Sequence, residues 1–457
     1  MEIVSILSLI EGYRKKEFSP VEITKMYVDR IHQCQDSNAY ITVTDEIALN
    51  QAEIAEKKYC TNEATGILEG IPLSYKDNLY TKGIRTTSGS KIDEDFIPKE
   101  DAHVVNNLQR EGAIQLGKVN MHEFAFGITS NNPFYGPVKN PWNKAYSPGG
   151  SSGGSGAAVA AGLGVASIGT DTAGSIRIPA TSCGVIGLKP THGLIQAGGV
   201  KHISWTLDHI GPLTRTMDDL AIVLEAMTGK QYTTSLKEDI RGLRIGVPKN
   251  YFNEGIEENT ARLYQKALQD LESLGAILID IDIPFSPDDL ALSFGIGIAE
   301  AGFVHEESIV SALDSFGVDV KASLEHSHAI TALDYIKALK RKEQLTEQFE
   351  QLFEQVDMLA TPTTPITPQK IGEEMVEING VMDSVFNTMI RIPAVFDLTG
   401  QPAISIPCGL ADNGLPVGLQ LAAANHNERI LIHAGYAYEQ AFLKSFYEKR
   451  NGLLEKT

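Results

Sequence analysis

The sequence is poor in several features that would tie it to particular functional classes. Its 457 residues include only four cysteines, Cys34, Cys60, Cys183 and Cys408, scattered without a Cys-x-x-Cys pair or metal-ligand spacing. That scatter excludes a disulfide framework and suits free thiols in a reducing compartment. Basic side chains are outnumbered, 39 Lys and Arg against 58 Asp and Glu, giving a formal net charge of −19. So acidic a chain lacks the cation clusters that nucleic acid and anionic membranes reward. No apolar run approaches the roughly 18 residues of a membrane span. The apolar stretch Ile3 to Ile10 is short, and Lys15 and Lys16 follow it where a secretory signal would place them before it. These absences lead to the expectation of a cytoplasmic protein with no membrane association and no direct nucleic-acid binding.

What is present is an ordinary globular composition, 42% hydrophobic and 21% charged, with ample material for a core. The first 60 residues read as helical, and Ser19-Pro20-Val21-Glu22 has the form of a helix start with a capping box. Residues 242–248 read as a buried strand. A helix with Tyr264, Ala267, Leu268, Leu271 and Leu274 on one face follows, stopped by Gly275. Ile277, Ile279, Ile281 and Ile283 then alternate as a strand does. Strand, helix, strand at this spacing is a βαβ unit. The fold class expected is α/β, a single large α/β/α domain with a mixed, largely parallel central sheet flanked by helices. Residues 1–60 form an N-terminal helical segment packed on a core of residues 61–457. Residues 332–356 read as a long polar-faced helix.

The most unusual stretch is Ser147-Pro148-Gly149-Gly150-Ser151-Ser152-Gly153-Gly154-Ser155-Gly156, which runs into the small-residue segment Ala157 to Gly162. A flexible linker is the simplest reading of such a run, but the apolar segment behind it favours a structural turn before a buried helix. A phosphate-binding loop would end in Gly-Lys-Ser/Thr, which is missing. Two Gly-x-Ser-x-Gly matches fit a nucleophile elbow, yet that motif needs a strand immediately before the serine, and residues 140–144 read as a loop. A fourth reading takes in more of the chain. The segment 167–179 places Ser175 in a turn of small residues, where backbone N–H groups can approach a substrate oxygen. Upstream, Lys76 ends the apolar run that begins at Gly70. Burial lowers a lysine pKa, and a neutral lysine can activate a serine without histidine.

Three segments together, Gly-Ile-Pro-x-x-x-Lys76-Asp, Gly-Gly-Ser151-Ser-Gly-Gly-Ser-Gly-Ala-Ala and Gly-x-Asp171-Thr-x-Gly-Ser175-Ile-Arg-x-Pro, resemble the amidase signature family. Segments 86–90, 187–191, 208–212 and 398–403 extend the resemblance over roughly residues 60–430. It implies Ser175 as nucleophile, Ser151 as a bridging serine on a cis peptide, and Lys76 as base. It also implies an oxyanion hole made by the backbone of Thr172, Ala173, Gly174 and Ser175, and neither a metal nor an organic cofactor. Asp171, Arg177 and Ser152 are supporting residues, the first two bracing the nucleophile turn and Ser152 serving as a turn or helix-cap residue. Ala173 stands where the family usually has glycine. His209 is read as a packing or hydrogen-bonding residue and His326-x-His328 as a solvated helix end.

The resemblance implies an amidohydrolase that cleaves a carboxylic amide C–N bond through a serine acyl-enzyme, releasing a carboxylate and ammonia or an amine. The alternative is the glutaminase (A-type) subunit of a tRNA-dependent amidotransferase. That subunit typically has Gln where Ile178 stands, and an Arg/Tyr-rich stretch where residues 192–205 differ, so the stand-alone hydrolase is preferred. The partners expected are then a small-molecule amide and, at most, a second copy of the chain in a homodimer. Pocket residues are expected around Trp205, 296–302 and 384–398.

Overall fold

The computed structural model describes residues 5–455. Residues 1–4, where the short apolar stretch weighed as a leader begins, lie outside them. Eleven strands form one sheet: β1 (Tyr40–Val43), β2 (Pro72–Lys76), β3 (Ile114–Val119), β4 (Ala166–Asp171), β5 (Ile186–Lys189), β6 (His209–Thr214), β7 (Arg244–Pro248), β8 (Ile277–Ile281), β9 (Met358–Pro362), β10 (Ala403–Leu410) and β11 (Pro416–Ala422). Their spatial order is β1-β3-β2-β4-β6-β5-β10-β11-β9-β7-β8. Parallel pairing joins β3-β2-β4 on one flank and β9-β7-β8 on the other. The neighbours from β4 across to β9 pair antiparallel, as β1 does with β3.

Strands β2 to β6 and β11 are buried at every position, as expected of a sheet covered by helices on both faces. The βαβ unit expected from the sequence is β7, the helix Glu258–Ser273 and β8, with Ile277 in register with Arg244. That helix buries Leu263, Tyr264, Ala267, Leu268 and Leu271 against the sheet, and Gly275 reverses the chain at φ +92°. β8 is the sheet edge, which is why its alternating isoleucines include the half-exposed Ile277.

The N-terminal helices Ile6–Lys15, Pro20–Gln33 and Asp45–Thr61 pack on the same core. The Ser19 hydroxyl accepts from the Glu22 N–H at 3.2 Å, and the Glu22 carboxylate accepts from the Ser19 N–H at 2.8 Å. The segment is not wholly helical, because β1 lies between the second and third helices. Its four residues, Tyr-Ile-Thr-Val, are good strand formers but too few for a periodic signal.

Helices Pro287–Val304, Val318–Ser327 and Ala332–Leu352 form a cap over one end of the sheet. Phe252, Ile296, Leu345, Phe349 and Phe396 belong to a second apolar cluster that joins cap and sheet. The long helix expected at 332–356 ends four residues earlier, at Leu352. Among the described residues no helix is long and apolar enough to cross a membrane, and all four cysteines are free.

Candidate active site

Parallel strands β2 and β4 lie side by side, so both deliver their C-terminal residues to the same edge of the sheet. In α/β sheets that edge is where ligands gather. β2 ends at Lys76 and β4 at Asp171. Between strand and helix, Ser151 precedes the helix Gly153–Ala160, and Ser175 precedes the helix Arg177–Cys183. Glycine makes this approach physically feasible. A Cβ on Gly154 would stand 2.2 Å from the Asn120 carbonyl oxygen. One on Gly174, at φ +116°, would meet Pro393 Cγ at 2.7 Å and Ile178 Cδ1 at 2.8 Å.

Lys76 Nζ donates to Ser151 Oγ at 2.6 Å, to Thr170 Oγ1 at 2.7 Å and to the Thr170 carbonyl at 3.3 Å. The ammonium is fully buried, and that burial pushes its pKa down to about 7 against the upward pull of Asp208 and Asp171. The Gly150–Ser151 peptide is cis. The Ser151 carbonyl accepts from the His122 N–H at 3.1 Å and the Ser130 hydroxyl at 3.3 Å. The Ser152 N–H donates to the Ser175 carbonyl at 3.2 Å, tying the two serine turns together.

Asp171 is placed to shape the Ser175 turn. Its carboxylate accepts from the Gly174 N–H at 2.5 Å, the Ile176 N–H at 3.1 Å and Arg177 Nε at 3.0 Å. Burial alone would raise its pKa, but the Arg177 guanidinium outweighs it and holds the carboxyl below the usual range. Arg177 also reaches Asp397 at 2.5 Å, the Pro393 carbonyl at 2.9 Å and Gln420 Oε1 at 2.9 Å. Asp171 and Arg177 are both without solvent contact. Among the four backbone donors named from the sequence, the Gly174 N–H is therefore engaged by Asp171. Ser152 takes the N-cap position of its helix, but its hydroxyl donates to the Thr170 carbonyl at 3.1 Å and makes no cap bond. His209 packs behind the turn, with Nδ1 3.3 Å from the Asp171 carbonyl and 3.4 Å from Asp397.

Ser175, Thr172 and Ala173 face a cavity of about 140 Å³ under the cap. Phe126, Ile128, Ile203, Leu207, Phe294 and Phe386 contribute to its walls. The segments expected from sequence, 296–302 and 384–398, supply Gly297, Ile298, Phe386, Ile390 and Ala394. Trp205 is elsewhere, lining a separate groove with Phe303 and Tyr335. Thr170, Asp208 and the residues at 126–128 do not stand out in the sequence. Thr170 lies on the same face of β4 as Ile168, next to the strand's last residue, Asp171. Asp208, which accepts from the Thr172 hydroxyl at 2.7 Å, lies in a segment that shares the family resemblance without an assigned role. Among the described residues no group of three or more His, Cys, Asp and Glu side chains is placed to hold a metal ion.

Comparison with known proteins matches the Amidase family profile to residues 22–432. The A-type subunit of glutamyl-tRNA(Gln) amidotransferase from Thermoanaerobacter pseudethanolicus is 39% identical, over 96% of this chain and 97% of that protein. The solved A-type chain of the amidotransferase of the same name from Thermotoga maritima is 30% identical with a TM-score of 0.79, covering 96% of this chain and 95% of that one. A solved chain from a vestigial protein complex, described as revealing the evolutionary origins of an s-triazine catabolic enzyme, is 30% identical with a TM-score of 0.92. It covers 96% of this chain and 100% of that one.

These relatives correct the expectation about partners. Proteins so alike over their whole length carry the name of one component of an enzyme that has tRNA in its name. The expectation of a chain that meets only a small amide, as monomer or homodimer and without nucleic acid, is withdrawn. The net charge misled because it sums over a whole chain and says nothing of local patches or of what other chains contribute. The likeness also weighs toward the A-type amidotransferase component that the sequence alone places second.

Proposed function

Because this chain belongs to the amidase family, whose chemistry is hydrolysis of amide C–N bonds, we propose that it is an A-type, ammonia-releasing subunit working with partner chains. The observation that carries the chemistry is the buried Lys76–Ser151 contact at 2.6 Å beside the Ser175 turn. Neutral Lys76 takes the proton of Ser151, Ser151 takes that of Ser175, and the Ser175 oxygen attacks the amide carbon. Backbone N–H groups of Thr172, Ala173 and Ser175 receive the developing oxyanion, with Gly174 positioning the turn through its bond to Asp171. The proton returns through Ser151 to the leaving nitrogen, the C–N bond breaks, and water hydrolyses the Ser175 ester to the carboxylate.

Support for partner chains comes from two sides: the name of the 39% identical relative as one component of an amidotransferase, and a 30% identical solved chain belonging to a protein complex. Free thiols at all four cysteines support a cytoplasmic setting. For the acyl donor, the A-type reading is that of a glutaminase, which hydrolyses glutamine to glutamate and passes the released ammonia to the amidotransferase reaction. A second reading is favoured by the cavity beside Ser175, whose walls carry no charged side chain: the same hydrolysis, on an apolar amide.

The test is purification of the chain from its native source with whatever accompanies it. Ammonia release is then measured from glutamine and from simple amides, with and without those companions. Glutamine hydrolysis that appears only with companions supports the transamidase form. If Ser175→Ala has undiminished activity on every amide, the acyl-enzyme mechanism fails.

A further inference from the structure

The proposal that Ser175 is an amide-attacking nucleophile leaves open what kind of acyl group lies beside it, and the cavity bears on that. Its walls are aromatic and aliphatic, relieved only by the hydroxyls of Thr172, Ser175, Ser293 and Ser323. Charged groups close in sequence to the wall residues are turned to other partners. Asp208 accepts from the Thr172 hydroxyl, from the Ile203 and Ser204 N–H groups at 3.1 and 3.3 Å, and pairs with His202 at 2.8 Å. Glu300, on the same helix as Phe294 and Ile298, accepts from the Ser204 hydroxyl at 2.6 Å, the Thr206 N–H at 3.1 Å and the Tyr335 hydroxyl at 2.6 Å. Arg391, next to the wall residue Ile390, donates to the carbonyls of Tyr251 and Glu254.

Glutamine, whose amide is in its side chain, brings an α-ammonium and an α-carboxylate, and each would lose its water here without finding an opposite charge. The volume, about 140 Å³, is close to that of the apolar cavity of about 150 Å³ that takes up benzene in another protein. Two rings close it. Phe294 comes from the cap helix Pro287–Val304 and Phe386 from the helix Val385–Ile390, with centroids 5.8 Å apart and planes tilted by 40°.

We propose that the acyl donor of this chain is a primary carboxamide of an uncharged, apolar acid about the size of a single six-membered ring, with Phe294 and Phe386 as specificity-determining residues. This rests on the reading of Ser175 as the nucleophile. The reaction is balanced by water alone: the Ser175 ester forms as the C–N bond breaks, ammonia leaves with the returned proton, and water then yields the free acid. Partner chains are compatible with it, since the solved relative tied to s-triazine catabolism also belongs to a complex.

The test has two arms, both run on the chain as purified from its native source with its companions. The first compares kcat/KM for benzamide, cyclohexanecarboxamide, glutamine and acetamide by ammonia release. The second compares the rate at which Ser175 is modified by phenylmethanesulfonyl fluoride and by an aryl sulfonyl fluoride carrying a carboxylate, located by peptide mapping. The expected result is a ring amide favoured over glutamine by at least a hundredfold, and the uncharged reagent favoured over the charged one by tenfold or more. Phe386→Ala is expected to narrow the ratio of ring amide to acetamide about tenfold, and Phe386→Leu to restore most of it. Glutamine as the best amide, or equal modification by both reagents where no amide is hydrolysed, overturns the acyl assignment while leaving Ser175 as nucleophile. If neither reagent modifies Ser175 and no amide is hydrolysed, the reading on which the proposal rests falls with it.

Discussion

The amine nitrogen of Lys76 lies 2.6 Å from the hydroxyl oxygen of Ser151, and neither side chain touches solvent. Burial is the largest influence on that lysine and brings its pKa down to about 7, so near neutrality its neutral form, the one able to accept a proton, is well populated. The expected outcome is a kcat/KM that falls about tenfold per pH unit below about 7 and levels off above it. A profile flat between pH 8 and pH 5 would remove Lys76 from the role of base. The same displacement bears on stability. Between about 7 and the ordinary lysine value of 10.5 the unfolded chain carries a proton that the folded chain does not. Lys76 therefore makes stability rise with pH across that window, and below it the full cost of the buried charge is felt. Lys76→Met should flatten this part of a urea-denaturation series against pH.

Replacing members of the proton path tests whether they act as one unit. Ser175→Ala, Ser151→Ala and Lys76→Ala should each reduce kcat by about three orders of magnitude or more. The Ser151→Ala, Lys76→Ala pair should be scarcely worse than either single change, because one broken link stops the relay. Single-turnover ammonia release measures this directly. Multiplying losses in the double variant would mean that the two residues serve separate steps.

Asp171 is expected to act through shape. It receives the Gly174 and Ile176 N–H groups and the Arg177 guanidinium, so Asp171→Ala leaves two backbone donors of the turn and much of a buried cation uncompensated. A stability loss of about 3 kcal/mol is anticipated, with Asp397 still supporting Arg177 and preventing a larger one. Urea midpoints measure it. At the same time kcat should fall with little change in KM, since Asp171 is not among the residues facing the cavity. A loss confined to KM would place Asp171 in binding.

These contrasts mark how far the sequence could be read. Ser151 and Ser175 stood out because each sits in a short motif of small residues that permit close backbone approach, and Lys76 because it ends an apolar, strand-like run. The βαβ unit at 244–281 was visible because helix and strand periods differ. The cavity was only half legible. Phe386 falls in the expected segment 384–398, but Phe126 and Phe294 come from segments that were not expected, and a lone phenylalanine looks the same whether it faces a core or a substrate. Trp205, singled out as the rarer side chain, went to a different groove. That Asp171 braces the turn was expected, but that it does so by taking the Gly174 N–H, one of the four donors named for the oxyanion, was not, because a contact across three residues has no composition of its own.

Gly174 offers a sharper test of the Ser175 turn. At φ +116° a side chain is already unfavourable, and the added methyl of Gly174→Ala would lie 2.7 Å from Pro393 Cγ and 2.8 Å from Ile178 Cδ1, in a wall with little room to yield. The expectation is a loss of about 2 kcal/mol in stability together with a kcat loss of at least a hundredfold. The adjacent Ala173→Gly adds no bulk, and a rate within about threefold of the parent is expected, since both residues offer the same backbone donor.

The cap is moored to the site by side chains next to the loop that holds Ser151. Glu123 accepts from the Gly317 N–H at 2.8 Å and His122 meets Asp319 at 2.7 Å, one just before and one within the helix that brings Ser323 to the cavity, while the Ser90 hydroxyl also donates to Glu123 at 2.6 Å. Burial pushes the Glu123 carboxyl up to about 7 despite these donors. A raised carboxyl pKa means that the folded chain holds a proton which the unfolded chain releases above its ordinary value of 4.5, so stability from this group declines as pH rises from there to about 7. Glu123→Ala cuts the mooring without touching Lys76, Ser151 or Ser175. If the cap serves to enclose the acyl group, KM should rise about fivefold to tenfold with kcat changed far less, and amide hydrogen exchange should quicken in residues 318–327 before any other helix. An unchanged KM with faster exchange would separate the cap from substrate binding altogether.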